Sequence, residues 1–271
     1  MVVKRYSEVK RLSQWLLISF AVALFFFLVL LPLTATVQFA FEDGIGGFIE
    51  AISSEGAITA FKNSLILAAL TTFINMGVGT LIAFVITRYK FHGRQVFKAL
   101  IDLPIAIPTA VVGLSLMMLY GPLGLLGALM EDSGIEIMMA LPGVLLAHIF
   151  VTFPFMVRSV SVVLEKHDIS QEEAAQTLGA NKFQTFTRVT LPSIRGGIIA
   201  GSALTFTRSL GEFGATLFVS GGMVQTAPLY IYYLSDSQFD FQAATSVAII
   251  LMIFPFILLL VLNYLVEKME S

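Results

Sequence analysis

The sequence predicts an all-α membrane protein with six transmembrane helices and both termini in the cytoplasm. Three observations carry that prediction. The 271 residues are 57% hydrophobic and only 13% charged, where soluble domains average about 25% charged. Mean hydropathy is +0.88, and charge-free windows recur that are long enough for the roughly 20 residues a spanning helix needs. The basic residues then fall in alternate connections, the pattern that sets orientation in a bilayer.

The windows justify each helix in turn. After a basic N-terminal tail, residues 1–11, the stretch 12–41 holds no charge. A cleaved signal peptide would carry an apolar core of only about 7 to 15 residues, so a retained helix near 15–33 is expected. Further charge-free windows lie at 63–87, 103–130, 137–157 and 241–266. A sixth, 196–235, is interrupted only by Arg208 and Glu212; its span is expected near 196–219, with a turn at Gly221–Gly222. Placing the N-terminus inside puts every Lys and Arg on the cytoplasmic side except Lys62, at an outer boundary, and Arg208, within a span. The outer connections collect acids, among them Glu42, Asp43, Glu131, Asp132, Glu136, Asp236 and Asp240. The expected organisation is therefore a tail (1–11), a first helix with its outer loop (12–60), a core (61–265) and a C-terminal tail (266–271).

Several chemistries are excluded. With no cysteine there is no disulfide, thiolate metal site or thiol nucleophile. His92, His148 and His167 show no metal-ligand spacing and read as ordinary loop or core residues. No G-x-x-x-x-G-K-[ST] loop is present to cradle ATP phosphates, so any ATP is handled by another polypeptide.

One polar stretch, residues 171–192, separates two apolar windows and reads as helix, turn, helix. Glu172 and Glu173 open a run of good helix formers and complement the positive end of the dipole. Gly179 ends that helix, since glycine can take the left-handed conformation a helix C-terminus wants. A second helix comes next, with Phe183, Phe186 and Val189 on one face, and Leu191–Pro192 closes it. Small Ala174 and Ala175 allow close approach, and the aromatics suit a partner's groove.

The spacing Glu173–Ala174–Ala175, three residues, Gly179, nine residues, Val189, one residue, Leu191–Pro192 resembles the signature of ATP-binding-cassette importer permeases, with Val where Ile is usual. The resemblance implies that Glu172, Glu173, Ala174, Ala175, Gly179, Phe183, Leu191 and Pro192 form the coupling helices that dock on the ATPase subunit. DLPIAIPTAVVGL (102–114) and TRSLGEFGAT (207–216) narrow the likeness to the sulfate and molybdate/tungstate permeases. That resemblance implies a type I importer permease fold paired with a second, identical or homologous, permease subunit. It further implies two ATPase subunits carrying ATP and Mg²⁺, and an extracytoplasmic binding protein that delivers a tetrahedral oxyanion. The chain itself would be no enzyme, hold no cofactor or metal, and bind no nucleic acid.

Two further stretches carry candidate chemistry. Arg208 and Glu212 are spaced i, i+4 within a span, where ionisable residues face protein or water. They either neutralise one another structurally or, with Thr205 and Ser209, border a translocation route in which Arg208 favours an anion. Gly211 and Gly214 on the same helix suit close helix packing. Pro104 and Pro108 must break or delay regular helix at the start of the third span; a simple kink is the plainer reading, and the backbone amides freed there could instead meet an oxyanion. Against the importer reading stand an ATPase-independent channel or secondary anion carrier and a purely structural subunit. The carrier should show matching hydropathy halves, and the two halves differ in loop content.

Overall fold

The computed structural model describes residues 2–122, 124–127 and 137–270, and the side chains of 14–122, 124–127 and 137–261. The acidic loop expected around Glu131, Asp132 and Glu136 lies outside the described residues. Everything regular among the described residues is helical. Helix α1 runs Val2–Phe25, widens into a π turn at Phe26–Leu30 and continues as Leu31–Ala40. Next come α2 (Gly44–Ser53), α3 (Glu55–Arg88), α4 (Arg94–Ala106), α5 (Thr109–Tyr120) and α6 (Leu141–Lys166). A polar pair succeeds them: α7 (Ile169–Thr177), then α8, which comprises Lys182–Thr185, a π turn at Phe186–Thr190 and Leu191–Ser193. The chain ends with α9 (Arg195–Leu210), α10 (Gly214–Val219), α11 (Ala227–Tyr232, with a π turn at Tyr233–Ser237) and α12 (Phe241–Glu270).

Among the described residues four helices are long and apolar enough to cross a membrane, within α1, α3, α6 and α12. The pair α4 and α5 is long and apolar enough only when taken together and is bent by 107°, the form of a broken span or of a re-entrant loop. Pro108, at the N-cap of α5, makes that bend, whereas Pro104 is carried inside α4. The expected span at 196–219 is not continuous. It is a 16-residue helix, a break at Gly211–Phe213 and a six-residue helix. Hydropathy measures how long an apolar stretch is, not whether its helix is unbroken. The turn expected at Gly221–Gly222 is present, both glycines having positive φ.

Prolines explain two of the π turns. Pro32 and Pro192 each stand one residue after the leucine that caps a π turn, and in both cases that leucine donates to a phenylalanine carbonyl five residues back. Proline lacks an N–H, and its ring crowds the carbonyl four residues earlier; one wide turn relieves both without ending the helix. The expectation that Leu191–Pro192 closes its helix is thereby corrected: the helix continues to Ser193.

The centre of the bundle is α3, α6 and α9. Between helices in lipid there is no hydrophobic drive, so close packing and hydrogen bonds carry the association. Gly79 on α3 and Gly201 on α9 both face Met156 of α6, where an added Cβ would stand 2.6 and 2.7 Å from that side chain. Asn75 donates to Thr152 Oγ1 at 2.9 Å, tying α3 to α6. Met156, Val157, Val160 and Leu164 close a buried core with Ala83, Ile86 and Ile194 at the end of the bundle that carries α7 and α8. By contrast α1 is exposed along nearly all of its described side chains. It is held at its end, where Gln242 and Ser246 of α12 donate to the Ala40 carbonyl.

Candidate functional site

The elbow α7–α8 is built locally, as its residues demand. Asp168 accepts from Ser170 N–H at 3.0 Å and caps α7; this bond holds the Asp168 carboxyl below its ordinary pKa. At the far end Gly179 has φ +89°, Ala180 N–H reaches the Ala175 carbonyl and Gly179 N–H the Gln176 carbonyl, both at 3.0 Å. That pair of bonds is a complete left-handed helix stop. Asn181 then opens α8 with a reciprocal capping box, its side chain accepting from Gln184 N–H while Gln184 Oε1 accepts from Asn181 N–H.

The outward surface of the elbow differs from the expected one. Phe183 is 76% exposed and Leu178, at the corner, 89%; Glu173, Ala174 and Gly179 are also exposed. Phe186 turns inward and meets the Phe84 ring edge-on at 5.1 Å, so only one of the two expected docking aromatics faces out. Glu172 turns inward too. Its Oε1 accepts from Arg88 Nε at 3.0 Å and Nη2 at 2.8 Å, and His167 Nε2 stands 3.8 Å away. The cause is tertiary: α7 lies across the end of α3, and Glu172 is the acid on its inner side. Between the two arms is a cleft of about 330 Å³ that Glu173, Gln176 and Lys182 help to line. Arg88, Phe84 and Leu178 were not singled out by the sequence; Arg88 counted only as one of the basic residues that set orientation.

The second stretch lies at the broken span. Arg208 Nη1, on the last turn of α9, and Glu212 Oε2, within the break, are 2.5 Å apart, with side chains 33% and 1% exposed. Glu212 Oε1 also accepts from Ala215 N–H at 2.9 Å, which caps α10. The four residues expected on one face divide. Thr205 and Ser209 are buried, and only Arg208 is partly open. His148 of α6 accounts for Ser209: its Nδ1 is 2.7 Å from Ser209 Oγ and its Nε2 2.8 Å from Thr216 Oγ1. One buried ring thus spans the break, holding α9 and α10 at a fixed offset. It is a core residue, as its isolation in sequence suggested. Gly214 packs as expected, a Cβ there colliding with Thr109 Oγ1 of α5; Gly211 makes no such approach. Asp102 pairs with Arg158 of α6 at 2.7 Å. No group of acids and histidines that could hold a metal occurs among the described residues.

Comparison with known proteins agrees with this architecture. The model of the family "Binding-protein-dependent transport system inner membrane component" matches residues 75–270. The sulfate transport system permease protein CysT of Salmonella typhimurium is 36% identical over 89% of this chain and 88% of its own. The CysW protein of Synechocystis is 37% identical over 94% and 93%. Among solved structures, a bacterial ABC transporter that imports the acidic polysaccharide alginate superposes with a TM-score of 0.81 at 21% identity, covering 99% of this chain and 100% of that one. An elbow with the importer spacing at one end of a helical bundle, matched by that model and these relatives, makes the chain a member of the binding-protein-dependent transport system inner membrane components, the permease subunits of ABC importers.

Proposed function

We propose that the chain is the translocation subunit of an ATP-driven importer for a tetrahedral oxyanion, sulfate (with thiosulfate) in the first place. The observation that carries the substrate is the likeness, at 36–40% identity, to proteins named as sulfate permeases in bacteria and in a chloroplast. It works in the cell's inner membrane with both termini and the elbow in the cytoplasm. Its partners are an ATPase dimer that binds ATP and Mg²⁺ and hydrolyses the nucleotide, a second permease subunit and an extracytoplasmic oxyanion-binding protein. An alginate importer has been solved with its periplasmic protein, which supports the last of these by fold analogy.

In this reading the exposed corner, Leu178, Gly179 and Phe183 with Glu173 and Ala174, seats on the ATPase. Leu191 and Pro192 shape the helix behind it. Closure of the ATPase dimer draws two elbows together and tips each bundle. Moving a two-state bundle from 1:99 to 99:1 requires about 5.5 kcal/mol of differential binding. Arg208, the partly open cation of the broken span, gives the anion a passing contact, while Glu212 holds it in place; Thr205 and Ser209 lie buried beside it.

Uptake of labelled sulfate against labelled molybdate by the reconstituted complex tests the substrate, using each candidate binding protein. Sulfate should accumulate only with ATP. Accumulation of molybdate alone would give the subunit to molybdate/tungstate import, and transport without the ATPase would remove it from importers altogether. Arg208→Gln should slow uptake by about tenfold, the cost of one charge-assisted contact; full rate with unchanged preference would remove Arg208 from the route.

A further inference from the structure

Phe84 and Arg88 stand four residues apart on the last turns of α3 and therefore share one face of that helix. Each holds a different arm of the elbow. Phe84 meets Phe186 of α8 edge-on. Arg88 grips Glu172 of α7 through two donors on one carboxylate oxygen, with side chains only 10% and 13% exposed. The same guanidinium lies 3.5 Å from the carbonyl of His167, the C-cap of α6. Arg88 thus joins the ends of α3 and α6 to α7.

That junction matters because α7 has little else to hold it. None of its residues is fully buried. It leaves α6 through His167 and Asp168, both extended, with φ/ψ of −72°/127° and −69°/118°. Two extended residues join α7 to α6, and the backbone bonds of the Gly179 turn tie its far end to α8; its angle against α3 is set by side-chain contacts.

We propose that Arg88 is the positioning residue that makes the elbow a rigid lever: its grip on Glu172 obliges α3 to follow α7, so that motion imposed on the elbow reaches the bundle. A nearly buried ion pair resists separation strongly, because parting it strands a desolvated carboxylate. The Phe84–Phe186 contact, being made to α8, fixes α8 but not the angle of α7. Without Arg88 the elbow still docks and still moves, but it turns about residues 167–168 and its motion is lost before α3. This inference rests on the importer reading above and adds the path by which the elbow's motion enters the bundle.

The test separates docking, hydrolysis and transport in the assembled complex. Arg88→Gln and Glu172→Gln should retain the ATPase subunit and hydrolyse ATP within about twofold of the parent, while sulfate taken up per ATP falls by about tenfold or more; exchanging the charges, Arg88→Glu with Glu172→Arg, should restore much of it. Uptake per ATP unchanged in Arg88→Gln would overturn the proposal. So would loss of the ATPase subunit in proportion to uptake, or a charge exchange no better than Arg88→Glu alone. A second measurement does not depend on sulfate. The chain has no cysteine, so spin labels placed through Gln171→Cys on the elbow and Val78→Cys on α3 are unique within it. Their separation should hold one narrow distribution with and without ATP in the parent and broaden in Arg88→Gln. If the parent complex hydrolyses ATP but takes up no sulfate, the substrate reading fails while the label distances still decide the lever; a spacing as narrow in Arg88→Gln as in the parent sinks it.

Discussion

Gly179 offers the sharpest test of the elbow's conformation, because its constraint is purely one of backbone. With φ +89° and nothing within 4 Å of where a Cβ would stand, a side chain there meets no neighbour. Its effect within the chain is to force an L residue into the left-handed region. That costs about 1–2 kcal/mol for alanine and more for a β-branched residue, but less for asparagine. Since 1.4 kcal/mol is a factor of ten in an equilibrium constant, the correctly bent elbow should become about tenfold scarcer in Gly179→Ala and scarcer still in Gly179→Val, with Gly179→Asn nearly unaffected. The bundle should not feel it, since the buried core beside the elbow contains no residue of this corner. Retention of the ATPase subunit by permease-containing membranes, titrated against ATPase concentration, should therefore weaken in the order Gly, Asn, Ala, Val, while melting of the purified permease stays constant. Equal retention across the series would remove the corner from docking. Asparagine as harmful as valine would show that bulk decides the outcome and refute the backbone argument.

The geometry predicts two more outcomes. Glu212→Gln keeps an acceptor for Ala215 N–H but loses the ion pair to Arg208, so thermal stability in detergent should fall by roughly 1–3 kcal/mol, discounted for the partial exposure of Arg208; Glu212→Ala also loses the cap and should cost about 1 kcal/mol more, and equal melting of the two variants would contradict the capping role. The Asp168 cap is pH-dependent: the carboxyl's pKa is lowered in the folded chain, so its contribution is fully present above the ordinary carboxylate pKa and is lost as pH falls through the lowered value. Amide exchange in the first turn of α7, corrected for its intrinsic pH dependence, should lose protection over that window in the parent and be pH-insensitive in Asp168→Ala; identical profiles would refute the cap.

The range of each interaction decides how legible it was in the sequence. The helix stop at Gly179 was readable because a cap is satisfied within a few residues, inside the stretch that encodes it; the capping box at Asn181 is equally local but was not drawn from the sequence. The bend at Pro108 was readable for the same reason. The inward turn of Glu172 was not, since its partner Arg88 lies 84 residues away and nothing in either neighbourhood announces the other. The division of Thr205, Ser209, Arg208 and Glu212 between core and opening was equally hidden, because it depends on where α6 places His148.

By itself, then, the sequence determined that the chain belongs in a bilayer, where the first arm of its elbow stops, and that this polar elbow with the importer spacing interrupts the apolar helices; these come from solvation and from local hydrogen bonding, which act along the chain. Only the tertiary structure decided which side of the elbow faces out, that the apolar stretch 196–219 is broken at Gly211–Phe213, and that Arg88 joins α3 to α7 while His148 spans that break. Those depend on groups brought together from distant windows, and in lipid, where apolar surface attracts no helix in particular, close packing and a few polar contacts settle which windows meet.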